Sequence, residues 1–272
     1  METTSKLSNA LQRVLVGILL CSPLFVHAQN YSKELESRAE SGDMAACDTL
    51  AGCYLGGLGV KPDTARAIQL WTLAAEKGNP SAQYSLAGCY AGAIGVPEDM
   101  NKAFELYTLS ANQNYVPAQY NLGVIYQGES GIEADPEKSV LWLTKAAEAG
   151  DIMGQYTLAT TYYQGNGVKT DLPKAFTWYH KAAEQNYILA QYMVGSCLAQ
   201  GKGVKQNEKE AVVWYTKAAE QGMPLAQTSL GICYYLGNGV RQDKAKAKEW
   251  FKKASDQGYT AAKRLLDQYY NQ

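Results

Sequence analysis

Four cysteines, Cys53, Cys89, Cys197 and Cys233, are separated by multiples of 36 residues, and a fifth, Cys47, lies six residues before Cys53. A thiolate can ligate a metal, attack an electrophile or close a disulfide. Equal spacing in a repeated structure sets the four at equivalent points of neighbouring units, about 9–10 Å apart if their helices pack side by side. A disulfide needs Cα atoms within about 7 Å. Cys47 and Cys53 on one helix would be about 9 Å apart along its axis, on different faces. The expectation is small, apolar, buried thiols rather than bridges. Histidine is too scarce for a zinc site: apart from His27 there is only His180, between Tyr179 and Lys181, which reads as solvated. No serine has lysine three residues later, so the Ser-x-x-Lys pair of serine β-lactamases is absent. Gly-x-Gly runs at 57–59, 165–167, 201–203 and 237–239 have phosphate-loop spacing, but no strand precedes them and they recur at one turn. They read as helix–helix turns. No catalytic residue, cofactor site or metal site is expected.

A repeat positions these residues. Aligned at Asp43, Asn79, Tyr115, Asp151, Tyr187, Met223 and Tyr259, the chain repeats every 36 residues without insertion or deletion. Such a period marks a stack of supersecondary units. With those residues as position 1, position 4 is Ala46, Ala82, Ala118, Gly154, Ala190 or Ala226, and position 8 is Leu50, Leu86, Leu122, Leu158, Val194 or Leu230. Position 12 is Tyr54, Tyr90, Tyr126, Tyr162, Leu198 or Tyr234. A 4-8-12 spacing predicts one buried stripe on a first helix. Position 9 is always Ala or Gly, room for a neighbouring helix. Position 17 is always Gly, suited to a backbone with positive φ. Position 21 is Asp or Asn, an N-cap for a second helix, and Glu210 after Asn207 has capping-box spacing. Trp142, Trp178, Trp214 and Trp250 fall 36 apart on the second helix, which ends at Gly or Asn.

The 272 residues carry net charge −1, with 46% hydrophobic and 19% charged side chains. That composition fits a packed protein and excludes a disordered chain or a strongly basic nucleic-acid binder. Residues 1–28 stand outside the repeat. Lys6 and Arg13 precede an apolar run from Val14 to Leu20 that continues to Val26, and Val26-His27-Ala28 puts small residues at the −3 and −1 positions before Gln29. This reads as a cleaved signal peptide, too short to span a bilayer. Acylation at Cys21 is the alternative, against which stands Leu20 before it. Cleavage removes Glu2, Lys6 and Arg13 and takes the net charge from −1 to −2.

The strings Ala-Gln-Tyr-x-Leu-Gly-x-x-Tyr, Gly-x-Gly-Val, Asp, Lys-Ala, Trp and Lys-Ala-Ala-Glu-x-Gly resemble the Sel1-like repeat, a relative of the tetratricopeptide repeats. The resemblance implies an all-α, right-handed superhelical solenoid of helix-turn-helix repeats. Six copies cover 43–258, 29–42 serve as an N-terminal half-repeat cap, and 259–272 form a C-terminal capping helix. The expected function is an exported scaffold, periplasmic or secreted from a Gram-negative bacterium, with a protein or peptide partner and no nucleic acid. No transmembrane segment is expected in the mature chain. The cysteine-rich Helicobacter branch implies an alternative, an enzyme that binds or hydrolyses β-lactams or cell-wall fragments. That branch staples each repeat with a cysteine on each helix, and this chain has no second-helix cysteine.

Tyrosines supply the candidate binding residues. Position 6 is Tyr84, Tyr120, Tyr156 and Tyr192 in consecutive repeats, and position 13 adds Tyr163 and Tyr235. Residues seven apart on a helix lie within about 20° of one face. That face is expected to oppose the 4-8-12 stripe. By similarity to tetratricopeptide repeats it lines the concave surface, where tyrosine offers apolar contact and a polar tip.

Overall fold

The computed structural model describes residues 30–270, and the signal-peptide reading lies outside them. All regular structure among the described residues is helical. The N-terminal unit, whose described residues run from 30 to 145, contains α1 (Lys33–Glu40), α2 (Met44–Gly56), α3 (Thr64–Glu76), α4 (Pro80–Ala91), α5 (Met100–Asn112), α6 (Val116–Val124) and most of α7 (Pro136–Glu148). The C-terminal unit, whose described residues run from 146 to 270, contains α8 (Ile152–Gln164), α9 (Leu172–Glu184), α10 (Ile188–Gln200), α11 (Glu208–Glu220), α12 (Pro224–Leu236), α13 (Lys244–Asp256) and α14 (Thr260–Tyr270). Consecutive helices pack on one another, α2 with α3 and α4 with α5 in the first unit, and α8 with α9, α10 with α11 and α12 with α13 in the second. This is the all-α repeat solenoid class.

The caps explain the boundaries. Asp63, Asp99, Asp135, Asp171 and Asp243 each accept from the backbone N–H three residues on, at 2.9–3.0 Å. Each also donates its own N–H to the position 12 carbonyl of the same repeat, as Asp63 does to Tyr54 at 2.9 Å. Glu210 departs from capping-box geometry for this reason. The Asn207 backbone N–H is taken by Leu198, so the Glu210 carboxylate instead accepts from the Asn207 side-chain amide at 2.9 Å.

Position 8 is buried throughout, with Leu50, Leu122, Leu158, Val194 and Leu230 at most 1% exposed. Position 12 differs from expectation. Only Leu198 is buried, and the tyrosines are half-buried. From the second repeat on, these rings lie under lysines at the second-helix start: Lys102 stands 4.5 Å from the Tyr90 ring centre, Lys138 5.4 Å from Tyr126, Lys174 5.2 Å from Tyr162 and Lys246 5.5 Å from Tyr234. A phenol covering a turn keeps one edge in water.

Position 17 glycine does more than adopt positive φ. A Cβ on Gly203 would stand 2.1 Å from the Leu172 carbonyl oxygen, and one on Gly239 2.2 Å from that of Glu208. The turn therefore rests on the first turn of the preceding repeat's second helix. Position 9 is equally tight: a Cβ on Gly195 or Gly231 would meet Tyr215 or Phe251 at 2.8 and 2.6 Å.

Candidate partner-binding face

Position 6 side chains do not oppose the core. Tyr84, Tyr156 and Tyr192 each contact position 29 on the second helix of their own repeat. In the N-terminal unit the Tyr84 ring lies 5.6 Å from Tyr107 and 5.4 Å from Tyr115, position 1 of the next repeat, and Tyr84 is only 6% exposed. In the C-terminal unit Tyr156 stands 5.5 Å from Tyr179 and 5.1 Å from Tyr187, and Tyr192 stands 5.7 Å from Tyr215. A first helix in a stack touches its own second helix and the neighbouring repeats, so more than one stripe of it is covered. Tyr120, Tyr156 and Tyr192 remain half-buried, with part of each ring reachable from solvent.

Position 13 reaches the same neighbourhood. Tyr163 lies 6.2 Å from Tyr179, and its hydroxyl accepts from Lys202 Nζ at 3.1 Å. Tyr235 stacks on Tyr269 of α14 at 4.1 Å, with Tyr270 edge-on at 6.2 Å. Burial raises the hydroxyl pKa of Tyr156, Tyr179, Tyr192 and Tyr215. These phenols act as neutral hydrogen-bonding groups, and the Tyr179 hydroxyl lies 3.0 Å from Thr160 Oγ1.

Repeat 1 builds the same contact from different chemistry. Its position 6 is Asp48 and its position 29 is Trp71, whose indole N–H donates to Asp48 Oδ1 at 2.8 Å. The Ser81 side chain lies near enough to the carboxylate to lower its pKa, and Ser81 Oγ stands 3.4 Å from the Tyr115 hydroxyl. Burial is the largest influence on Asp48 and raises its pKa.

The thiols sit beneath this face. Cys47, Cys53, Cys89 and Cys197 are buried and Cys233 is half-buried, and none of the five is in a disulfide. Burial pushes Cys89 up to about 12 and Cys197 and Cys233 to about 11, so none is poised as a nucleophile at neutral pH. His180 is not simply solvated. Its ring packs 5.3 Å from Trp214 and 5.9 Å from Phe176, and Nδ1 lies 3.6 Å from Glu184 Oε1. Among the described residues no group of three or more His, Cys, Asp or Glu has metal-site geometry, and no helix is long and apolar enough to cross a membrane.

The sequence reading passed over the glutamines. Gln83, Gln119, Gln155 and Gln227 at position 5 are buried and donate to a carbonyl at the end of the preceding repeat, at 3.1–3.4 Å. Gln113, Gln185, Gln221 and Gln257 at position 35 donate in turn to the position 5 oxygens of Gln83, Gln155, Gln191 and Gln227, at 2.7–2.9 Å. Their invariant 30-residue separation was the available signal.

The Sel1 repeat model matches residues 45–79, 80–115, 116–151, 152–187, 188–223 and 224–259. The fold is similar to that of a protective antigen of uropathogenic Escherichia coli displaying an SLR fold, with 34% identity, a TM-score of 0.83, and coverage of 88% of this chain and 52% of the antigen. The chain thus spans about half of that antigen. It is also similar to a Sel1 repeat protein from Oxalobacter formigenes, with 30% identity, a TM-score of 0.66, and coverage of 78% and 84%. No sequence match is found among curated proteins. Six consecutive model matches, on the helix pairs described above, place this chain in the Sel1 repeat family.

Proposed function

We propose that this protein is an exported, non-enzymatic scaffold that binds a protein or peptide partner over the position 6 and position 13 side chains. Sel1 repeat proteins are generally protein–protein interaction scaffolds. The observation that carries the reading is the recurrence of half-buried tyrosines, Tyr120 in one unit and Tyr156, Tyr163, Tyr192 and Tyr235 in the other, the latter four each anchored on a neighbouring ring and partly open to solvent. An anchored ring loses little entropy on binding, which favours it as an interface residue. Tyr84 is enclosed and supports the helix pair instead. Export follows from residues 1–28 and predicts a mature N-terminus at Gln29 by intact mass.

The test is affinity purification from the native cell envelope with wild type and a Tyr156→Ala, Tyr192→Ala variant. One partner should be recovered with the wild type and lost with a variant of unchanged helical content. Retained capture by that variant overturns the reading. Because the rings also pack, Tyr156→Phe with Tyr192→Phe provides a second arm, keeping the contact and removing only the polar tip.

A further inference from the structure

Column 6 holds tyrosine in four consecutive repeats and a carboxylate in the first. Asp48 is half-buried and lies in the N-terminal unit among Trp71, Ser81, Tyr115 and the adjacent Cys47. The four ion pairs formed by described residues do not include it, and Arg38 nearby in sequence is held by Asp43 at 2.6 Å. A carboxylate taken partly out of water without a counter-ion costs stability. The hydrogen bond from the indole fixes its direction but carries no charge, and the nearby Ser81 side chain is neutral. Tyr115, half-buried beside it, presents part of an aromatic ring.

The geometry points to Asp48, with Ser81 and Tyr115, as a subsite for one positively charged side chain, lysine or arginine, of the bound partner. A guanidinium or ammonium supplies the missing countercharge and lies against a phenol ring favourably. Trp71 is 1% exposed and acts as a positioning residue, holding Oδ1 from below. The raised Asp48 pKa agrees: the folded state prefers the protonated acid, so the charge weakens folding at neutral pH, and stability recovers as pH falls through the folded value. A side chain retained at a cost to stability is a mark of function. The proposal rests on the reading that column 6 faces the partner, and its test does not need the partner.

The test is a titration of the full mature chain with N-acetyl-argininamide and N-acetyl-lysinamide, and with neutral N-acetyl-glutaminamide as control. The readout is the NMR signal of the Trp71 indole N–H, assigned by Trp71→Phe. Saturable movement with the cationic probes, none with the neutral one, and at least tenfold weaker binding in Asp48→Asn are expected. The signals of Trp142, Trp178, Trp214 and Trp250 should stay in place. Asp48→Asn should also melt at a higher temperature than wild type, which separates lost binding from lost folding. No movement with the cationic probes, or equal movement with the neutral probe or in Asp48→Asn, overturns the subsite. If Asp48→Asn does not fold, the charged-versus-neutral comparison in wild type decides. Movement of Trp71 together with undiminished capture by the tyrosine variants would sink the tyrosine face and leave the cation subsite standing.

Discussion

In the C-terminal unit Lys181, Lys217 and Lys253 each lie 3.9–4.1 Å over a tryptophan one turn earlier, Trp178, Trp214 and Trp250. The first two repeats of the N-terminal unit hold Leu70 with Leu73 and Leu106 with Leu109 in those columns, and Leu73 and Leu109 are 42% and 53% exposed. The same contrast recurs elsewhere. Gly165, Gly201 and Gly237 end the first helices of the C-terminal unit in the left-handed conformation. The N-terminal unit does the same at Gly57 in repeat 1, but uses Ala93 at φ 54° in repeat 2, and in repeat 3 it shifts the positive φ to Gly128 through a π-helical turn at Ile125–Glu129. Column 5 is glutamine in every full repeat of the C-terminal unit, whereas the N-terminal unit begins with Cys47, whose thiol donates to the Ala39 carbonyl at 3.5 Å. The regular unit shows what each column is for, and the irregular unit shows which columns tolerate another residue. Columns pressed on a neighbour's backbone barely vary. Columns facing water vary freely.

Four measurements would break or sharpen that contrast. The largest effect is expected at position 17. Gly239→Ala combines a left-handed alanine with a Cβ 2.2 Å from the Glu208 oxygen and should cost about 3–5 kcal/mol in urea unfolding. Gly131→Ala, with φ 82° and nothing within 4 Å, should cost only about 1 kcal/mol. Equal losses would mean that backbone strain, not contact, governs the column. Thiol reactivity comes next. Cys89, pushed to about 12, should label at least roughly tenfold more slowly in native protein than the half-buried Cys233 at about 11. In denaturant without reductant all mature thiols should react alike, and a protected pair would reveal a bridge.

A smaller gain is expected at Ala93. Ala93→Gly should stabilise by about 1 kcal/mol by relieving its left-handed backbone, and Gly165→Ala should cost more than that because a Cβ there meets Thr170 Oγ1 at 2.5 Å. The smallest effect is on the outer columns. Lys181→Ala should lose about 0.5–1 kcal/mol with its tryptophan contact, whereas Leu73→Lys should stay within about 0.5 kcal/mol of wild type. Matching losses at both would show the two surfaces to be equivalent.

The fold was readable because its signals are local and recur: the Leu50 column, the Asp63 caps, the closing glycines. The face was read less well, for a geometric reason. A helical wheel treats Tyr84 and Tyr156 as opposite Leu86 and Leu158, but a helix in a stack has partners on several sides, and Tyr107 and Tyr179 lie where the wheel sees water. Asp48 was unreadable as a site because its meaning comes from Trp71, Ser81 and Tyr115, which are 23, 33 and 67 residues away in sequence. The glutamine pairs were written in the sequence at constant spacing but look like ordinary polar surface until Gln155 is seen to be buried.

The bond from each position 21 amide to its position 12 carbonyl closes every turn upon itself, as in Asp171 to Tyr162 and Asp243 to Tyr234. The glutamine at position 5 then fastens the closed block to the one before. A single inserted residue would open one of these joints. A duplicated block of 36 residues would open none, because its leading glutamine finds the carbonyl it needs on any predecessor. Length in such a chain is therefore a discrete variable, free to grow or shrink by whole blocks in evolution while remaining almost immune to change by ones and twos.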